Sequence, residues 1–131
     1  MDNKQIKLTL PFAPRTKKNH SQVVRRGGFF KVLPSKAYLA LEAKCCKFLA
    51  LYWQREPIET PINLECHFYK EADRKGDLVG YLQAIQDILV KAGVIKDDNH
   101  KIVVSTDGSR VHLDRANPRI EVIINELQQW R

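Results

Sequence analysis

Cysteine is scarce in this 131-residue chain, and no apolar run approaches the roughly 20 residues needed to span a membrane. Cys45, Cys46 and Cys66 are odd in number, and two of them are adjacent in a segment that reads as helix. That excludes a disulfide framework and a zinc-ligand spacing. Cys66 precedes His67, the dipeptide of a thiol and its base, but neighbours in a strand point to opposite faces, so no nucleophilic pair is expected. Gly27-Gly28 lacks the helix and the Lys-Ser or Lys-Thr of a P-loop. The first residues carry no basic region, apolar block and cleavage site in succession, so a cytoplasmic location is expected. Repeats and low-complexity tracts are also missing.

Acidic residues are nearly missing from residues 1–36, where Asp2 stands alone against nine Lys or Arg. This third carries +8 of a total of +7, and the other 95 residues come to about −1. A basic arm on a balanced body suggests a polyanion partner, because phosphate contacts dominate nucleic-acid affinity. With 44% hydrophobic and 28% charged residues, the chain reads as one globular domain over residues 1–131.

Along the chain, Ile6, Leu8 and Leu10 alternate with polar residues, the period of a half-buried strand, and Pro11 ends it. A polar loop over residues 15–21 follows. Arg15, Lys17 and Lys18 are placed there to clamp phosphates, and Asn19 to donate hydrogen bonds. Val23 and Val24, then Arg25-Arg26-Gly27-Gly28, then residues 29–32 predict a hairpin whose tip carries two arginines. Phe29 and Phe30 point to opposite faces, so one is expected in the core.

Ser35 suits the cap of a helix reaching about residue 54, with Tyr38, Leu41, Cys45, Phe48, Leu49 and Tyr52 on one face. Ile62, Leu64, Cys66 and Phe68 alternate in a second clear strand. The strongest helix follows, with Leu78, Leu82, Ile85, Leu89 and Ala92 on its buried stripe, widened by Tyr81 and Ile88. Asp77 suits its N-cap, Lys91 its last turn and Gly93 the C′ position. A strand is expected over residues 100–106, turning at Asp107-Gly108 and pairing back through residues 111–113, and a last strand over 119–124. The sum predicts an α/β fold with a mixed sheet covered by two long helices.

Chemistry concentrates at the ends of that strongest helix. If the strand after it returns beside its N-terminus, Asp77 and one of Asp97 or Asp98 can share a divalent cation, for which hard Mg²⁺ suits carboxylate oxygens. The same residues also suit a plain cap and a plain turn. Arg74 and Lys75 precede Asp77 and are placed to meet a phosphate.

The run GDLxxxLxAIxDILVKAGVIKDD over residues 76–98 resembles the core of the RusA family of Holliday junction resolvases, small phage-associated nucleases whose signature is roughly DLDNLxKAxxDALxxAGxxxDD. The basic loop with Lys-Asn after the first strand is similar too. The resemblance implies a Mg²⁺-dependent endonuclease acting as a homodimer on branched DNA, with Asp77 and Asp98 catalytic and Asp77, Asp97 and Asp98 around the metal. Three polar positions of the signature are not kept: Val79 stands at its second carboxylate, Gly80 at its Asn and Gln83 at its Lys. Asp107 is the nearest later carboxylate, and Lys75 or Lys96 the replacement cation that these departures call for. A DNA-binding protein with weak or lost catalysis is the alternative.

Overall fold

A computed structural model describes residues 5–18 and 21–129, so Asn19, expected at DNA, lies outside the described residues. The chain runs β1 (Gln5–Leu10), β2 (Gln22–Arg26), β3 (Phe29–Leu33), α1 (Lys36–Tyr52), β4 (Ile62–Lys70), α2 (Leu78–Lys91), β5 (Val103–Ser105), β6 (Arg110–Leu113) and β7 (Arg119–Glu126).

The β4 strand sits at the centre because both its edges are paired. β7 lies antiparallel along one edge and carries β1 antiparallel on its far side. The other edge is shared end to end by β5 and β6, both parallel to β4. The result is a mixed sheet. Ile62, Leu64, Cys66 and Phe68 turn one face of β4 inward, where they meet Ile120, Val122 and Ile124 of β7 and the buried stripes of both helices in one core cluster. Phe68 stacks on Tyr81 of α2 with ring centroids 5.4 Å apart. Glu65, His67 and Tyr69 face the other way, into a polar network in which the ring nitrogens of His67 and His112 lie 2.8 Å apart and Glu65 is 2.6 Å from His67. The alternation expected from the sequence is therefore the division between core and solvent. It also parts Cys66 from His67: full burial pushes the Cys66 thiol far up, which leaves it inert.

Both helices start where their caps predict. The Ser35 hydroxyl accepts the Tyr38 amide at 3.1 Å, and the Asp77 carboxylate accepts the Gly80 amide at 3.0 Å. Gly93 takes φ +79°, the left-handed C′ conformation. In α1 the inward face is Tyr38, Leu41, Cys45 and Leu49, while Tyr52 at its end is exposed. The stripe of α2 is rotated slightly from expectation: Tyr81, Ala84, Ile85, Ile88 and Leu89 are buried, and Leu78, Leu82 and Ala92 only partly.

Two expectations fail. Residues 111–113 do not pair back on β5. Instead β5 and β6 run in the same direction along β4, and the Asp107-Gly108 turn links one to the other. Side chains replace the ladder across this gap: Asn63 Oδ1 accepts the Asp107 amide at 2.9 Å, and the Ser109 hydroxyl accepts the Cys66 amide at 3.0 Å. An Asp-Gly turn can reverse or merely kink a strand, and here the free edge of β4 decides. The second failure lies in the hairpin, which forms as expected but sends neither phenylalanine inward. β2 and β3 pair only with each other, and Phe29 and Phe30 are 78% and 75% exposed, so neither enters the core.

Candidate functional site

Asp77 stands at the N-terminus of α2, delivered there by the loop that leaves β4. The chain beyond α2 is held by a short parallel bridge: the Ile58 amide donates to Val94 O at 2.9 Å, and the Lys96 amide to Ile58 O at 2.9 Å. Buried Val94 and Ile95 anchor this tether, so the turn that follows is placed by the core and not by its own polar residues. Within that turn Asp97 is occupied locally. One oxygen accepts the Asp98 amide at 2.7 Å and the other the Asn99 side-chain amide at 3.1 Å, which holds its carboxyl below the usual range.

Asp98 faces the helix. It lines a cleft with Val79, Leu82, Gln83, Gln86 and Thr106. A second cleft, lined by Thr16, Lys17, Lys18, Asp77, Val79, Gly80 and Gln83, adjoins it. Val79 and Gln83, one turn apart, belong to both. Asp77 and Asp98 therefore flank one exposed stripe of α2, and the lysines of the 15–18 loop border it.

The departures from the family signature are the centre of this stripe. Val79 is 72% exposed, an apolar side chain facing water where packing does not demand one, and Gln83 is exposed too. Gly80 has a steric role. A Cβ built on it lies 2.4 Å from Asp77 Oδ1 and 3.3 Å from Thr16 Cγ2, so a larger residue there requires the Asp77 carboxylate to shift.

Asp87, one turn beyond Gln83, is a site residue that the sequence reading did not single out. Its Oδ2 lies 2.7 Å from Lys17 Nζ, whose ammonium also sits 5.5 Å from the centre of the Tyr38 ring. Burial, the bond to Asp97 and the negative charge of Asp87 together raise the Asp98 carboxyl above its usual value. Two signals were available: the middle Asp of the family signature falls on Asp87, and Val79, Gln83 and Asp87 recur every four residues on one helix face.

Other expected residues scatter. Lys17 and Lys18, and not Lys75 or Lys96, are the lysines that line the cleft at Gln83; Lys96 stands 3.8 Å from Glu59, exposed. Arg15 is gripped by Glu71 through two bonds of 3.0 and 2.6 Å. Together with Arg74 and Lys75 it lines a separate cavity behind Asp77. Arg25 and Arg26 are exposed on the hairpin, away from both carboxylates in sequence and in pairing. Asp107 is held in its turn by Asn63 and lines neither cleft.

Among the described residues no three His, Cys, Asp or Glu side chains are grouped to hold a metal ion. Three carboxylates border the stripe, but Asp87 is taken up by Lys17, which leaves the pair Asp77 and Asp98. A pair fits Mg²⁺, which keeps several waters and is commonly held by one or two carboxylates. Among the described residues no helix is long and apolar enough to cross a membrane.

No curated protein matches the chain. The family model described as endodeoxyribonuclease RusA matches residues 11–125, nearly its whole length. On that match, over a fold that sets the signature's outer carboxylates to either side of one helix stripe, the chain belongs to the RusA endodeoxyribonuclease family.

Proposed function

We propose that this protein is a Mg²⁺-dependent endonuclease that cuts four-way DNA junctions during recombination and repair, as a homodimer. The observation that carries the reading is the pair Asp77 and Asp98 on either side of one solvent-open stripe of α2, bordered by lysines. Carboxylates set beside a DNA-facing surface repel phosphate unless a cation lies between them. A Mg²⁺ held there would polarise the phosphoryl oxygen and lower the pKa of a bound water. Asp77 and Asp98 would hold the ion, and Asp97 would keep the turn of Asp98 in shape. Lys17 and Lys18 would seat the phosphate, with Lys17 oriented by Asp87. A two-fold dimer matches the symmetry of a four-way junction.

Val79 and Gln83 support the second reading, a DNA-binding protein with little catalysis. Because both side chains are exposed, Val79→Asp with Gln83→Lys introduces no buried charge and tests the two readings cleanly. The measurement is the cleavage rate on a four-way junction with and without Mg²⁺. Wild-type cutting that the double change fails to improve supports the nuclease. A silent wild type that the double change switches on overturns it.

Asp77→Asn is the sharper single test. Loss of a metal's outer-shell partner costs about 10- to 100-fold, so loss of a direct ligand should lower cleavage by at least about 100-fold. Asn caps a helix about as well as Asp, so melting temperature and junction binding should barely move. Equal loss of binding would show that Asp77 serves the fold or the DNA contact and not the metal.

A further inference from the structure

Behind Asp77, on the side away from the Val79–Gln83 stripe, lies a cavity of about 120 Å³ whose wall includes Arg15, Lys70, Glu71, Arg74, Lys75 and Tyr81. Four of these are cations and one is an acid. Two of the groups are buried: Lys70 is 9% exposed and Tyr81 5%. A lysine is almost never buried without a reason. The Lys70 ammonium donates to Arg74 O and lies 5.5 Å from the Tyr81 ring centre, which leaves further N–H groups to offer. The Tyr81 hydroxyl has no hydrogen-bond partner among the described residues. It lies against Gly76, where a Cβ would come within 2.4 Å of it, so the glycine before Asp77 is what lets the hydroxyl reach this place.

Glu71 shows what the cavity wants. It presents two oxygens to the Arg15 fork, the geometry that a phosphate also presents, and that pairing holds its carboxyl low. A cavity this size falls well below the about 300 Å³ at which sites for whole small molecules begin, so a base or nucleoside does not fit and a single tetrahedral oxyanion does. We propose that the cavity is a phosphate subsite that takes one backbone phosphate of the DNA next to the one positioned at Asp77. Lys70 and the Tyr81 hydroxyl are its donors, and Arg74 and Lys75 close over it. The identity of the ligand as DNA rests on the nuclease-family reading; the anion chemistry does not. Lys70 and Tyr81 are positioning residues: they register the duplex so that the neighbouring phosphate meets Asp77 and Asp98.

The test is binding of a four-way junction in EDTA, where no cutting occurs, so its outcome is independent of whether the protein is an active nuclease. Tyr81→Phe keeps the stack on Phe68 and removes one donor. Its affinity should fall about tenfold, the range for a hydrogen bond to a charged group. A junction series in which single phosphates are replaced by neutral methylphosphonates should contain one position that weakens the wild type and leaves Tyr81→Phe indifferent. Lys70→Met, which keeps the buried stem, should be indifferent at the same position. Gly76→Ala, which displaces the hydroxyl, should behave like Tyr81→Phe, with melting temperature confirming a folded protein. Affinity unchanged in both Tyr81→Phe and Lys70→Met overturns the proposal. So does a Tyr81→Phe variant that stays sensitive at every position of the series. If the coupled position appears but the wild type never cuts with Mg²⁺, the subsite stands and the nuclease reading falls.

Discussion

In β4 the side chains of Ile62, Leu64, Cys66 and Phe68 are sealed against the helices, whereas in the β2–β3 hairpin Val23, Phe29, Phe30 and Val32 are 66%, 78%, 75% and 68% exposed. Both regions are β and both are rich in apolar side chains. They differ in their neighbours. β4 is paired on both edges and covered by α1 and α2. The hairpin is paired only with itself, tied at its base by Gln22 Nε2 donating to Pro34 O at 3.0 Å. A two-stranded ribbon has two faces and, alone, no layer to cover either. Each face of this one pairs an arginine with a phenylalanine across the strands, Arg25 with Phe30 and Arg26 with Phe29. Charge follows the same division, since the arm belongs to the acid-poor third of the chain and β4 to the balanced remainder. One apolar set holds the fold; the other lies exposed beside arginines. On the proposed nuclease reading, exposed aromatic rings beside arginines suit bases opened at a branch point, the rings stacking on the bases and the arginines meeting the phosphates.

The contrast breaks most visibly in the body. Phe68→Ala removes a side chain that is 1% exposed and stacked on Tyr81, and should cost about 3–5 kcal/mol in chemical denaturation. A cost below about 1 kcal/mol would mean that β4 is not the core that its burial describes. On the arm the same kind of change should do the opposite. Phe29→Ser with Phe30→Ser should leave stability within about 0.5 kcal/mol and weaken junction binding by about 1–3 kcal/mol for each base that stacks. If stability falls and binding does not, the hairpin packs on protein in solution.

The smallest effect sharpens where arm and body meet. Lys17→Ala with Lys18→Ala should make the slope of log affinity against log salt shallower by up to about two. Lys17 is already paired with Asp87, so breaking that half-exposed pair should change stability by at most about 1 kcal/mol. An unchanged slope would place the 15–18 loop away from DNA and leave Lys17 as a partner of Asp87 alone.

Much of this molecule could be read before any coordinates. The cap at Asp77, the cap at Ser35, the C′ glycine at 93 and the alternation of β4 are local signals, and each lies where it was expected, because a cap or a period depends on residues within one or two turns. The site was half legible. Asp77 was marked by its cap and Asp98 by the family run, but Asp97 spends its carboxylate on its own turn, Asp87 stood in the family run with nothing local to tie it to Lys17, and the Lys70–Tyr81 cavity gave no sign.

The sequence alone determined where the two helices begin, which faces of β4 and α2 are apolar, that the basic charge lies in the first third and to which family the run over residues 76–98 points, while the strand expected over 100–106 shrank to Val103–Ser105. Tertiary structure decided that β6 follows β5 along β4, that both phenylalanines of the hairpin stay outside, that Asp98 faces the Val79–Gln83 stripe and that Lys17 finds Asp87 seventy residues away. Periodicity states that a face needs covering, but the covering layer and the edge that stays free are settled only when distant segments pack, and no local pattern carries that information.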